Sequence, residues 1–226
     1  MSLLQVIYRG GSEDAAGPSQ LDEVFLIYSP LVHQRLYDLI ASDMSLGDRV
    51  ISIKQCCEGL DFLHAQGIMH RDIKPHNIGI YSTQPPSAFL LDFGDATDEQ
   101  ESSDHMRGTI PYLAPEVLMM KRDIKISPYE KSVDIWSLGL SCLQLMTCDT
   151  ALPIVDENYP TNIKKAFERE WDPSITRVVH LLRQMLQWEP IDRITAEGAL
   201  RHPALCELDS GLPLKYKTGG KRLAAF

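Results

Sequence analysis

A long apolar stretch of the sequence without a charged residue runs from Ile135 to Cys148. It is too short to cross a bilayer as a helix, which needs about 20 apolar residues. The stretch therefore predicts a helix buried in a folded core. With 226 residues, 44% of them hydrophobic, the chain is long enough for one sizeable core or for two unequal parts.

Short runs typical of β-strands come early in the chain. Leu3–Tyr8 and Val24–Tyr28 are rich in β-branched and aromatic residues, and they predict two strands joined by a polar loop. Ile78–Tyr81 and Ala88–Leu91 predict a hairpin around the loop STQPPS. Strands are therefore expected near the N-terminal end of the fold.

Helical patterns dominate the rest of the sequence. Leu46–His64 has apolar residues at helical spacing, and Ser45 precedes it as a predicted N-cap. Prolines separate the remaining candidate helices. These helices are Lys131–Thr147, Asn162–Glu170, Ser174–Trp188 and Thr195–His202.

Charge and cysteine content limit the partners and the compartment. The formal charge of −9 argues against a nucleic-acid partner and against an anionic membrane. The cysteine count of 5 is odd and no C-x-x-C occurs, so neither a zinc site nor a disulfide framework is predicted. Buried thiols in a reducing compartment are the expected reading. No signal segment opens the chain, so we expect an intracellular protein of cytoplasm or nucleus.

Four motifs follow one another between residues 70 and 139. His70–Asn77 reads HRDIKPHN, Asp92–Gly94 reads DFG, Ala114–Glu116 reads APE and Asp134–Gly139 reads DIWSLG. In this order they resemble the eukaryotic-type serine/threonine protein kinases, from about residue 3 to about residue 202. The resemblance implies an α+β fold, a protein-kinase-like C-lobe that is mainly helical, with a remnant strand pair of the N-lobe.

The resemblance assigns phosphoryl transfer to a few side chains. Asp72 would accept or orient the proton of the acceptor hydroxyl, Lys74 would place a cation beside the transferred phosphate, and Thr109 would bond both. Asn77 and Asp92 would hold Mg²⁺, a cation that takes oxygen ligands, and the predicted hairpin between them would bring them together. The implied cofactors are ATP and Mg²⁺.

Other motif residues are expected to support the structure. The resemblance implies that Glu116 forms a buried ion pair with Arg193 of IDRIT. Asp134 would bond the backbone of the HRD loop from a buried helix. His70 is expected to be a packed core histidine, and Phe93 of DFG is expected to have a structural role.

The segment after DFG is acidic and reads DATDEQESSDHM. Arg71 precedes the proposed catalytic Asp, as in kinases whose phosphorylated activation loop neutralises that arginine. Ser102 and Ser103 are therefore candidate phosphorylation sites. The alternative is a solvated acidic loop whose carboxylates pair with Arg71 without phosphorylation.

Part of the family pattern has no counterpart. No G-x-G-x-x-G precedes His70, and no lysine precedes Lys54, which falls in a predicted helix. VFLIYSPL resembles the last N-lobe strand and the hinge, so Ser29 and Leu31 would offer backbone groups to adenine. The sequence fits either a piece of a complete kinase or an N-lobe-deficient member. Residues 1–30 are expected to form the N-lobe remnant, 31–208 the C-lobe and 209–226 an irregular tail.

Three residues depart from the family. Gly79 stands where a leucine usually lies beneath adenine, which would weaken nucleotide packing. His76 replaces a glutamate that often reads a basic residue upstream of the acceptor, so a preference for basic substrates is in doubt. Asp95 adds negative charge near the phosphates.

The sequence leaves more than one function open. KPHN and GTIPYLAPE resemble the serine/threonine branch and predict a kinase that acts on a protein substrate. The rival is a pseudokinase-like scaffold with little or no transfer, and phosphorylation of a non-protein substrate is a third reading. Exposed edges of the strands Leu3–Tyr8 and Val24–Tyr28 would favour self-association or a partner chain.

Overall fold

A computed structural model describes the backbone and side chains of residues 32–122 and 127–208. Of residues 2–9, 23–29, 209 and 210 it describes the backbone alone. Most of the expected C-terminal tail, residues 211–226, and the hinge residue Leu31 lie outside the described residues.

The chain begins with three strands and two helices, and a pair of strands follows before the remaining helices. The strands are β1 (Ser2–Arg9), β2 (Glu23–Ser29), β3 (Gln34–Arg35), β4 (Ile78–Thr83) and β5 (Pro86–Leu90). The α-helices are α1 (Leu36–Leu39), α2 (Leu46–Ala65), α3 (Pro115–Lys121), α4 (Ser132–Thr147), α5 (Tyr159–Ala166), α6 (Thr176–Met185), α7 (Ala196–Arg201) and α8 (Pro203–Cys206). Short 3₁₀ turns are Pro75–Asn77, Ile110–Tyr112, Pro173–Ile175, Pro190–Asp192 and Glu207–Ser210.

The strands form two small antiparallel sheets. β1 pairs with β2 so that Leu3 lies opposite Tyr28, and the predicted strand pair is confirmed. In the second sheet β4 lies between β3 and β5. Arg35 of β3 pairs with Gly79 of β4, which brings the start of α1 beside the turn Pro75–Asn77. The predicted hairpin is confirmed as β4 and β5.

Helix α4 is the centre of the core. Every residue from Val133 to Met146 is buried, and Trp136, Leu138 and Leu140 have no exposed surface. The helix packs against α2 and α6. The uncharged stretch is therefore a buried helix, as its composition predicts. No helix in the described part of the chain combines the length and apolar character that crossing a membrane requires.

Helix α2 begins where the sequence predicts. The Ser45 hydroxyl accepts a hydrogen bond from the Asp48 amide at 3.1 Å, the geometry of an N-cap. Arg49 of this helix is buried, which the sequence does not predict. The Arg49 guanidinium donates to the carbonyl of Ile40 at 3.1 Å and to that of Leu145 at 2.6 Å. Because these carbonyls flank α1 and end α4, Arg49 ties both helices to α2, and burial lowers its pKa.

Three prolines lie in the first turns of helices whose starts the sequence pattern did not predict. Pro160 lies in the first turn of α5, so this helix starts at Tyr159, before the predicted Asn162. The first helical turn has no partner for its amides, and proline lacks that amide. In the same way Pro115 and Pro203 open α3 and α8, which were not predicted.

The predicted helix Ser174–Trp188 is shorter in the structure. It begins as a 3₁₀ turn, continues as α6 and ends at Met185. The carbonyls of Gln187 and Trp188 instead accept hydrogen bonds from Arg193, at 2.9 and 3.0 Å. A tertiary contact therefore ends the helix where the sequence pattern would continue it.

The cysteines divide between core and surface. Cys56, Cys57 and Cys142 are buried, whereas Cys148 and Cys206 are exposed. Burial raises the pKa of Cys56 to about 12. The expectation of buried thiols therefore holds for the first three and is wrong for the other two.

Candidate active site

The Asp72 carboxylate is the centre of a compact polar cluster. Its Oδ1 accepts a hydrogen bond from the Thr109 hydroxyl at 2.7 Å. Its Oδ2 accepts from the Lys74 ammonium at 2.7 Å and from the Asn77 amide at 2.8 Å. Lys74 also donates to the Thr109 hydroxyl at 2.7 Å. The fold thus brings together four of the side chains that the sequence analysis selected.

Buried Asp134 of α4 fixes the loop that carries Asp72. Its carboxylate accepts the backbone amides of His70 at 2.9 Å and Arg71 at 2.8 Å, and its Oδ2 lies 3.0 Å from His64 Nε2. Arg71 has φ 67°, a left-handed conformation that is unfavourable for a residue with a side chain. Hydrogen bonds to a buried carboxylate are stronger than neutral ones and offset this strain.

Gly108 allows Thr109 to reach Asp72, and the sequence analysis did not single it out. Its φ is 79°, and a Cβ built there would lie 2.7 Å from the Arg71 carbonyl and 2.7 Å from Leu113. Only glycine fits this backbone crossing without a shift. The available signal was its position directly before Thr109 in GTIPY.

Asn77 and Asp92 stand at the two ends of the β4–β5 hairpin. The Leu91 amide donates to the Asn77 carbonyl at 2.8 Å, which holds the ends together. Asp92 is exposed and has φ 61°, and its Oδ1 accepts the Gly94 amide at 3.3 Å. Both side chains offer oxygen atoms, the ligands of a hard cation.

Metal binding at this place needs a ligand besides the protein. Within residues 32–122 and 127–208, no group of three or more His, Cys, Asp or Glu side chains is arranged to hold a metal. A site of one carboxylate and one amide suits Mg²⁺ completed by phosphate oxygens and water.

His70 and Phe93 pack below this hairpin. His70 is fully buried, and its Nε2 lies 3.0 Å from the Leu91 carbonyl. The Phe93 ring lies 5.0 Å from the His70 ring, but 44% of Phe93 remains exposed. His70 therefore contacts the end of the hairpin through the Leu91 carbonyl, and Phe93 packs against His70.

Arg71 connects the loop of Asp72 to the acidic segment. Its Nε donates to the Asp95 carbonyl at 2.5 Å, and its Nη1 donates to the Ser102 hydroxyl at 3.3 Å. Ser102 is buried, with 3% exposure, and pairs with Tyr129 through both backbone groups. Ser103 is exposed. The two candidate phosphorylation sites therefore differ sharply in access.

Asp95 has partners in the structure. Its carboxylate accepts from Arg107 Nη1 at 3.4 Å and from the Gly108 amide at 3.2 Å. Arg107 also donates to Asp104 at 2.9 Å, which lowers the pKa of that carboxyl. Arg107 therefore links Asp95 to Asp104 across the acidic segment, and Asp95 forms an ion pair with Arg107.

Glu116 and Arg193 form a bidentate ion pair. The two guanidinium nitrogens donate to the two carboxylate oxygens at 2.6 and 2.7 Å. The Arg193 side chain is fully buried, that of Glu116 is 16% exposed, and the guanidinium lies 5.1 Å from the Trp136 ring. The pair fixes α3, and hence the segment after Thr109, to the segment between α6 and α7.

A cavity of about 570 Å³ lies at this ion pair, away from Asp72. Its lining includes Glu116, Tyr129, Trp188 and Arg193, but none of the side chains around Asp72. The candidate active site is therefore identified by its side-chain chemistry.

The comparison with protein families matches this arrangement. A family model described as "Protein kinase domain" covers residues 18–205. The chain belongs to the protein kinase family. Its described part is the mainly helical C-lobe of that fold with a strand pair from the N-lobe.

The curated relatives that the chain matches are protein kinases. It is 34% identical over 195 residues to the calcium/calmodulin-dependent protein kinase type 1 of Macrobrachium nipponense, covering 80% of this chain and 54% of that one. It is 34% identical over 198 residues to the calcium/calmodulin-dependent protein kinase type II alpha chain of Drosophila melanogaster, covering 81% and 36%. The phosphorylase b kinase gamma catalytic chain, liver/testis isoform, of Bos taurus is 29% identical over 191 residues, covering 80% and 46%. The chain thus spans about half the length of these relatives, or less.

The expected adenine contacts are only partly described. Ser29 is the last residue of β2 and is described by its backbone alone. Leu31 lies outside the described residues. The first lysine of the kinase, Lys54, lies on α2 and has an ion-pair distance of 3.9 Å to Glu58.

The structure explains why position 79 is glycine. A Cβ on Gly79 would lie 2.6 Å from Val32 Cγ1 and 2.7 Å from Leu91 Cδ1. Such distances are shorter than any van der Waals contact between carbon atoms. Val32 and Leu91 therefore fill the space that a larger side chain would take at this position.

Gly79→Ala is expected to destabilise the kinase by about 1–2 kcal/mol, because Val32 and Leu91 must move to admit the methyl group. Gly59→Ala is the matched control, since a Cβ there meets Leu90 at an ordinary 3.6 Å. In helix α2 that change should stabilise by about 0.5–1 kcal/mol. Urea unfolding measures both, and an equal effect of the two substitutions would contradict the packing described.

Proposed function

We propose that this chain is a serine/threonine protein kinase module that transfers the γ-phosphate of Mg-ATP to a protein hydroxyl. The observation that carries the proposal is the Asp72 cluster, in which Thr109, Lys74 and Asn77 donate to one carboxylate. Phosphoryl transfer needs an oriented hydroxyl beside a cation. A helix cap or turn residue needs neither neighbour.

Each side chain has a distinct role in the proposal. Asp72 accepts a hydrogen bond from the acceptor hydroxyl in place of that from Thr109, and so orients the attacking oxygen. Lys74 stays within reach of the same carboxylate and offers its ammonium to the transferred phosphate. Thr109 lines the acceptor side, and Asn77 keeps the carboxylate in position.

Asn77 and Asp92 are proposed to hold the metal. Asn77 donates through its Nδ2, so its carbonyl oxygen is the atom left for a cation. The Asp92 carboxylate is exposed at the other end of the hairpin. Mg-ATP supplies the transferable phosphoryl group and the neutralising charge. Ser29, Leu31 and Gly79 are proposed to lie at the adenine end.

The second candidate function is a pseudokinase-like scaffold. It is favoured by the position of Lys54, the first lysine in the sequence, on α2 and in contact with Glu58. A lysine on a strand near the phosphates contributes electrostatic stabilisation that is worth orders of magnitude in rate. Under this alternative the fold binds partner proteins and transfers little or no phosphate.

We also propose a modification site and a surface for a partner chain. Ser103 is exposed and is the accessible modification site, whereas Ser102 must first leave Tyr129 and Arg71. The two-stranded sheet of β1 and β2 is proposed to pair with a second copy or a partner chain at its edge. A protein substrate in cytoplasm or nucleus completes the proposal.

Titration calorimetry with Mg-ATP tests the nucleotide half of the proposal. Wild type should bind, and Asp92→Asn should bind at least about tenfold more weakly, because it removes the one carboxylate ligand of the cation. Asp98→Asn, an exposed change in the acidic segment, is the matched control and should bind like wild type. Equal affinities of wild type and Asp92→Asn, or no binding by wild type, would contradict it.

A further inference from the structure

Side chains that can carry positive charge cluster on one side of the Asp72 site. Lys74 and His76 flank Pro75 at the start of the 3₁₀ turn that follows Asp72. Arg35 joins them from β3, because its backbone pairs with Gly79 just after that turn. Two segments distant in sequence, β3 and this turn, thus bring Arg35 and His76 together beside Lys74.

The His76 ring has a fixed orientation. It stacks on Tyr37 of α1, with ring centroids 4.0 Å apart and an interplanar angle of 26°. Tyr37 lies two residues after Arg35, so the same short segment carries the guanidinium and the aromatic support. His76 is half-buried, and Arg35 and Tyr37 are exposed. The cluster is therefore preformed and accessible.

The Arg35 guanidinium supplies the positive charge of the cluster. No carboxylate among the described residues lies at ion-pair distance from this guanidinium. Asp38 is the acidic neighbour, and its Oδ2 already accepts the Arg35 backbone amide at 3.0 Å. The pKa of His76 is lowered by burial, by Lys74 and by Arg35, and Asp38 only partly opposes them. The Arg35 guanidinium is therefore open to an anionic ligand, with the His76 ring beside it as a hydrogen-bonding group.

We propose that Arg35 and His76 bind an acidic side chain of the protein substrate, within a few residues of the hydroxyl that Asp72 orients. The proposal rests on the proposed kinase function and adds a substrate class to it. An anionic residue pairs with the Arg35 guanidinium and accepts a hydrogen bond from His76. A basic residue there meets the Arg35 guanidinium, and like charges at close range are unfavourable.

The test is fluorescence anisotropy with labelled peptides that contain one serine and differ only in flanking residues. One set carries Glu before or after the serine, one carries Lys, and one carries Gln. Wild type should bind the better Glu peptide about 3- to 10-fold more tightly than its Gln counterpart, as expected for exposed charge pairs. The Lys peptides should bind most weakly.

Charge reversal identifies the residues responsible. The double variant Arg35→Glu, His76→Glu should prefer the Lys peptides. Arg201→Glu is the control, because this exposed arginine pairs with Glu197 on its own helix α7. It should keep the wild-type order of peptides.

The readout is binding, so it does not depend on phosphate transfer. If wild type prefers Glu peptides but transfers no phosphate, the substrate preference stands and the kinase function fails. Equal affinity for all peptides, preference for Lys, or no binding by wild type would overturn the proposal. So would an unchanged preference in the double variant, once its thermal unfolding shows that it is folded.

Discussion

Asp72→Asn should lower phosphate transfer by about 10²- to 10⁴-fold, the usual contribution of a positioned proton-accepting group. The substitution keeps the size of the side chain but removes its negative charge. The Thr109 hydroxyl and the Lys74 ammonium then lose the charged acceptor that each contacts at 2.7 Å. The rate is measured with Mg-ATP and a generic protein substrate.

The affinity of Asp72→Asn for Mg-ATP should remain within about twofold of wild type, because Asn77 and Asp92 are the proposed metal ligands. Calorimetry on the same preparation provides this control. Transfer by Asp72→Asn at the wild-type rate would remove Asp72 from the mechanism. Loss of both binding and transfer would instead indicate a damaged fold, which the thermal midpoint reveals.

Glu116→Gln should destabilise the protein by about 3 kcal/mol, because it leaves the guanidinium of Arg193 buried without its counter-charge. Arg193 keeps its hydrogen bonds to the carbonyls of Ser132, Gln187 and Trp188. These satisfy its protons but do not neutralise the charge. The free energy of unfolding is obtained from urea denaturation with circular dichroism.

Glu197→Gln is the matched control for this prediction. Its ion pair with Arg201 is exposed, with 71% of the arginine and 61% of the glutamate side chain accessible. Exposed pairs contribute little, so the change should stay within about 0.5 kcal/mol. A similar decrease in the free energy of unfolding in both variants would mean that the buried Glu116–Arg193 pair contributes no more to stability than an exposed pair.

The sequence predicts best the elements that depend on local patterns. Helix α4 follows from the absence of charge between Ile135 and Cys148, and α2 follows from apolar spacing behind Ser45. The β4–β5 hairpin follows from two apolar runs around a turn-forming loop. Each of these signals lies within the element it predicts, so no tertiary contact is needed to read it.

The sequence predicts poorly the features that depend on distant contacts. From the sequence, Gly79 is expected to weaken packing beneath the nucleotide. The residues next to it in the sequence do not indicate that Val32 lies against it. Glycine is required at position 108 because the backbone of Arg71 passes close to it. Arg49 is buried because it donates to the carbonyl of Leu145 at the end of a distant helix. Such roles arise from packing and have no local pattern.

The prolines show a second limit. Composition marks Pro160 as a break, yet proline both ends a preceding helix and opens the next, so the boundary has two readings. The structure starts α5 with this residue in its first turn. Likewise the end of α6 depends on Arg193, which lies beyond the predicted helix.

The most direct test of the central claim is phosphate transfer by the wild-type chain, measured with γ-labelled ATP and a protein rich in serine and threonine. We expect labelled acceptor in the presence of Mg²⁺, no label with EDTA, and recovery of labelling when Mg²⁺ is restored. Mg-ATP that binds by calorimetry and yet leaves the acceptor unlabelled would contradict it, and would identify the chain as a binding module.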